Sequence, residues 1–111
     1  MTFADLGTGL NGVKKDLKFA HYGWSSAPSG DYGVYSEDDR PQFIAGDRNV
    51  ESSTHGYVSL FTRDDTGATQ NLVETYFRGL QSTNVFCWTV NTIQYEDNTR
   101  FIHIEWEVEL A

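Results

Sequence analysis

Apolar and polar residues alternate without a break along the end of the chain. Ile102, Ile104, Trp106, Val108 and Leu110 point one way, and Phe101, His103, Glu105, Glu107 and Glu109 point the other. A period of two predicts a strand with one buried and one wet face. Just upstream, Phe86, Trp88, Val90, Thr92, Ile93 and Tyr95 form a second run of strand-favouring residues. The polar stretch Glu96-Asp97-Asn98-Thr99 between the two runs predicts a turn, so residues 85–110 read as a hairpin. A lone hairpin is marginal in water, so its apolar face needs a cover.

The period changes to 3.6 only once with conviction. Ala68, Leu72, Val73, Tyr76, Phe77 and Leu80 fall on one stripe, with Gln70, Asn71, Glu74, Arg78 and Gln81 facing water. Asp64-Asp65-Thr66 supplies capping groups for the start of this helix, which spans residues 65–81. It is the natural cover for the hairpin. Earlier, Phe3, Leu6, Leu10 and Val13 recur at helical spacing, but Gly7, Gly9 and Gly12 weaken the pattern. Residues 1–16 therefore read as a short helix or as an arm that orders against a neighbour. Residues 17–24 and 31–36 read as two strands of a first hairpin, with the loop at Pro28 and Gly30 between them. Residues 50–63 give another strand, apolar on both faces through Tyr57, Val58, Leu60 and Phe61. Between them lies a polar contact loop, residues 37–49. It carries Glu37, Asp38, Asp39, Arg40, Asp47 and Arg48 around the apolar pair Phe43 and Ile44. The expected fold is α+β: an antiparallel sheet with one main amphipathic helix on one face, plus a short N-terminal helix or arm.

A chain of 111 residues is enough for one domain. Aromatics at 14 % mark a folding sequence rather than a disordered one. The formal charge of -8 argues against a nucleic-acid-binding surface, which needs clustered Lys and Arg. Here the one basic cluster is Lys14, Lys15 and Lys18. The single cysteine, Cys87, excludes an internal disulfide and reads as a small core residue. There is no apolar run of about 18 residues and no secretion-signal pattern at the start. The expected setting is a reducing compartment, or a particle assembled in one.

Little in the sequence points to chemistry. His21, His55 and His103 lack the short spacing of a zinc site, and no phosphate-binding glycine motif or nucleophile elbow is present. Glu105, Glu107 and Glu109 stand in a row, successive members about 7 Å apart on one strand face. A carboxylate pair for glycoside hydrolysis needs an opposing wall, which one strand does not supply. No enzyme activity, metal or cofactor is expected.

Specific segments carry more. His21-Tyr22-Gly23-Trp24, then Ala27-Pro28, then Tyr32-Gly33-Val34-Tyr35 form the first block. Tyr57-Val58-Ser59-Leu60-Phe61-Thr62-Arg63 follows, with Asp64-Asp65-Thr66-Gly67 and a helix behind it. The last block is Ile93-Gln94-Tyr95-Glu96-Asp97 with Phe101-Ile102-His103-Ile104-Glu105-Trp106. In order and spacing these segments resemble the tail terminator, or tail-completion, proteins of long-tailed (siphovirus-type) bacteriophages. The resemblance runs from about residue 17 onward, and the glycine-rich start departs from the usual N-terminal helix.

The resemblance implies a small α+β virion protein, assembled in the host cytoplasm, that forms a ring, commonly of six subunits, on the end of the tail tube. Its partners would be copies of itself, the tail-tube protein and a head-side neck protein. DNA would pass nearby without specific binding, and no membrane is involved. Sheet edges and the loop residues Phe43 and Ile44 would make the ring contacts. Either Glu105, Glu107 and Glu109 or the acids Glu37, Asp38 and Asp39 would border the lumen and repel the DNA backbone. Two alternatives stay open: a head-side neck or connector subunit, and, in a different class, a cytoplasmic small-ligand or metal-binding α+β module.

Overall fold

The computed structural model describes residues 1–38 and 53–111. Seven elements follow in order: α1 (Phe3–Leu10), β1 (Lys18–His21), β2 (Tyr32–Asp38), β3 (Thr54–Thr62), α2 (Ala68–Gln81), β4 (Phe86–Tyr95) and β5 (Ile102–Leu110). The strands form one sheet in the order β1-β2-β3-β5-β4. The fold is α+β, with both helices against one face of the sheet. None of the described helices is long and apolar enough to cross a membrane.

The C-terminal hairpin forms as its alternation requires. β5 pairs antiparallel with β4 and with β3, placing Trp106 across from both Val90 and Val58. Ile104, Trp106, Val108 and Leu110 are buried under the helices. An extra residue, Asn91, bulges out of β4 between Val90 and Thr92. The strand predicted over residues 50–63 is β3, with Val58 and Leu60 buried on the helix side.

The sheet is mixed, not purely antiparallel, and the expected first hairpin is not one. β1 and β2 run parallel, Lys18 beside Tyr32 and His21 beside Tyr35. The reason lies in the connection over residues 22–31. Tyr22 turns out of β1 with φ 69, and the chain travels back before β2 begins. Trp24 fastens the return: its indole N–H donates to the Gly33 carbonyl at 2.9 Å, and its ring meets Tyr32 edge-on. Strand alternation reports faces and is silent on direction.

The N-terminal segment is an ordered helix belonging to the chain's own core. Thr2 and Asp5 form a reciprocal capping box, which also holds the Asp5 carboxyl below its usual pKa. Phe3, Leu6 and Leu10 are buried. Two of the glycines that weaken the sequence pattern, Gly7 and Gly9, are sites of close approach. A Cβ on Gly7 would lie 2.2 Å from the Tyr35 hydroxyl, and one on Gly56 would lie 2.5 Å from the Phe3 ring.

α2 starts at Ala68, later than the spacing suggests, because Gly67 adopts φ 82 just before it. Asp64 does the capping from further upstream. Its carboxylate accepts the Thr66 hydroxyl and N–H and the Thr69 N–H and hydroxyl. Those bonds, the Thr66 hydroxyl first, hold its pKa far below the ordinary carboxylate range. The buried stripe is Thr69, Val73 and Phe77, while Leu72 is 40 % exposed and Ala68 is also exposed. Tyr76 and Leu80 are partly buried. Glu74, expected in water, instead accepts the Trp106 indole N–H at 2.9 Å. Phe77 is the centre of the cluster, with Phe86, Trp88 and Trp106 rings at 5.2, 5.7 and 5.4 Å.

Phe77→Ala should cost about 3–5 kcal/mol of stability, whereas Leu72→Ala should cost under about 1 kcal/mol, both read from urea unfolding. Asp64→Ala should lower the melting temperature at pH 7. Because the folded carboxyl has a depressed pKa, its contribution is complete above the unfolded value of about 3.9 and is lost as pH falls toward the folded value. The gap between Asp64→Ala and the parent should therefore narrow as the melt is repeated below pH ~4.

Candidate interaction surface

The sheet face away from the helices has no second layer among the described residues. Register places Tyr32, Val34, Ser36 and Asp38 of β2, and His55, Tyr57, Ser59 and Phe61 of β3, on this face with the acids of β5. The predicted row Glu105, Glu107 and Glu109 is there but is not uniform. Glu105 and Glu107 are partly exposed, and Glu105 accepts the Asn91 side-chain N–H at 2.6 Å. Glu109 is only 5 % exposed, so it is not part of a wet face. Phe101, also expected outside, is buried. The Arg63 guanidinium lies 3.9 Å over its ring, and the Phe61 ring meets it edge-on. Arg63 also donates to the Ser29 and Thr99 carbonyls, tying the hairpin turn to the β1–β2 connection.

The acids assigned to a contact loop divide. Glu37 and Asp38 lie in β2 rather than in a loop. Glu37 pairs with His21, whose ring is stacked between Tyr22 and Tyr35. Asp39, Arg40, Phe43, Ile44, Asp47 and Arg48 fall outside the described residues.

Asp38 belongs to a group that spacing does not reveal. His55 has a side chain only 2 % exposed, with Asp38 3.8 Å from Nδ1 and Glu107 3.5 Å from Nε2. Neither ring nitrogen reaches hydrogen-bond geometry with a described group. The Tyr57 ring stands edge-on to it at 5.2 Å. Adjacent strands β2, β3 and β5 each contribute one member, so only the strand order brings the group together. The two carboxylates lie at opposite nitrogens, so the imidazole stands between strands rather than beside a shared ligand. His103 stacks on Phe61 on the same face, and His21 is on the helix side. Among the described residues, no three His, Cys, Asp or Glu side chains are placed to hold a metal ion.

The two sheet edges differ. At β1, the Asn11 side chain accepts the Phe19 N–H at 2.7 Å and donates to the Phe19 carbonyl at 3.2 Å. That amide acts as a one-residue strand and covers the edge at Phe19. Lys18 adds a charge there and reaches the Asn11 carbonyl. Beside this edge is a groove of about 260 Å³ lined by Lys14, Lys15, Asp16, Leu17, Gly30 and Asp31. At the other end, β4 reads FCWTVNTIQY, with no charge and no proline. On its helix side, Val90, Ile93 and Tyr95 are 40, 54 and 60 % exposed. The sequence shows this uncharged stretch, but the strand order is what places it at an edge.

His55→Ala should lower stability by about 2 kcal/mol in urea unfolding, because it opens a cavity and leaves Asp38 and Glu107 without the imidazole between them. Compared with known protein families and with the curated proteins, the chain matches none.

Proposed function

We propose that this chain is a structural virion subunit: a tail terminator that forms a ring on the end of a phage tail tube, stops its growth and offers the surface for joining the head. The support is the resemblance in segment order, together with the form of the sheet. The observation that carries the reading is a sheet face that bears no helix among the described residues. Both helices occupy one side of the sheet, and Glu105 and Glu107 stand side by side, partly exposed, on the other.

In this reading Glu105 and Glu107 border the lumen. Their charge, on a chain of net -8, keeps DNA moving past without adhesion. Glu109 is too buried to share the role. Ring neighbours meet through the polar segment that bears Phe43 and Ile44. The β1 edge takes no part.

Deleting the gene from the phage genome that encodes this chain should give abnormally long tails in electron micrographs. Tails of normal length beside unjoined heads would point to a head-side neck subunit instead. The charge reversal Glu105→Lys, which leaves the His55 group intact, should leave particles assembled but slow DNA ejection by about tenfold or more. Ejection at the normal rate would remove Glu105 from the lumen.

A further inference from the structure

β4 breaks the rules by which sheet edges are protected. Natural edges are short, charged, interrupted by proline or covered. β1 follows those rules, with four residues, Lys18 and the Asn11 amide across it. β4 has ten residues, none charged, and among the described residues its bulge is the one feature that blunts it. Its helix side is also half finished. The C-terminal end of α2 covers the upper half, where Phe86 is buried and Trp88 donates its indole N–H to Gln81 at 3.0 Å. The lower half, Val90, Ile93 and Tyr95, is left bare.

We propose that β4 is the site at which two copies of this chain join, strand against strand and antiparallel about a two-fold axis. Three observations select a second copy as the occupant. First, the chain carries a net charge of -8, and the uncharged β4 is a place where two copies meet without setting like charges opposite each other. Second, the Asn11 amide already holds the Phe19 N–H and carbonyl of the four-residue β1, which disfavours the head-to-tail alternative, in which β1 of one copy would add to β4 of another. Third, the covered and bare halves complement each other. An antiparallel pair sets Ile93 and Tyr95 of one copy beside the upper half of the other β4, under the end of that copy's α2. The acidic turn at Glu96 and Asp97 then approaches the end of α2 that carries Arg78, whose side chain is 52 % exposed. Such a pair doubles the sheet and closes on itself. It therefore differs from the ring contact, and the mass in solution tells the two apart.

The test is the mass of the full chain in solution, by sedimentation equilibrium from about 1 to 500 µM. A monomer–dimer equilibrium is expected. The double variant Val90→Lys and Ile93→Lys should weaken it by about 100-fold or more while keeping the far-ultraviolet spectrum of the parent, since both side chains are already exposed in the single chain. Tyr22→Lys, at the β1 edge, should leave the dimer intact. Amide exchange should show alternate β4 N–H groups, those turned away from β5, gaining protection as concentration rises. A monomer throughout, a dimer that survives the two lysines, a dimer broken equally by Tyr22→Lys, or closed rings larger than two would each overturn the proposal.

Discussion

The indole of Trp106 is the point on which the molecule turns. It has no exposure, it sits in β5 between β3 and β4, and Phe77 meets it edge-on at 5.4 Å. Burying so large a ring is strongly favourable, but its N–H must find an acceptor or the gain is eroded. Glu74 supplies that acceptor at 2.9 Å, from one turn before Phe77 on the same helix. Helix and strand are thus fixed by an apolar contact and a polar one at a single residue. The position and tilt of α2 follow from that double constraint, and with them the division of β4 into a covered and a bare half.

The two helices form a single layer. α1 shares the same side of the sheet, and it fits only because backbone comes close to rings: Gly7 under the Tyr35 hydroxyl and Gly56 under Phe3. With that side filled, the opposite face receives no helix among the described residues, and its contacts there are pairs within the sheet. Phe61 stacks between Tyr32 and His103, and His55 lies between Asp38 and Glu107. A single-layered face of this kind keeps backbone geometry rigid while leaving carboxylates at the surface.

The C-terminal hairpin and α2 were legible because each satisfies one strong period, and a burial pattern is what a period encodes. The parallel pairing of β1 with β2 was not, because direction depends on the path of residues 22–31 and on the hold of Trp24, neither of which leaves a periodic trace. α1 was half legible. Its apolar spacing was plain, but its glycines read as weakness when they are clearances for Tyr35 and Tyr76. The surface was the least legible part. Glu37 and Asp38 belong to a strand although their composition suggests a loop. His55, Asp38 and Glu107 become neighbours only through the strand order. Glu109 alternates as an exposed residue does, yet it is buried.

The Asn11 amide that occupies the Phe19 backbone has a consequence beyond its own strand. Runaway polymerisation of β-sheets, the route to fibrils, requires every added molecule to present a fresh sticky side to the next arrival. At β1 the Asn11 carboxamide already holds the Phe19 N–H and carbonyl, so an arriving strand finds those two groups taken. One asparagine thereby makes that side a poor template, while β4 keeps an uncharged ladder.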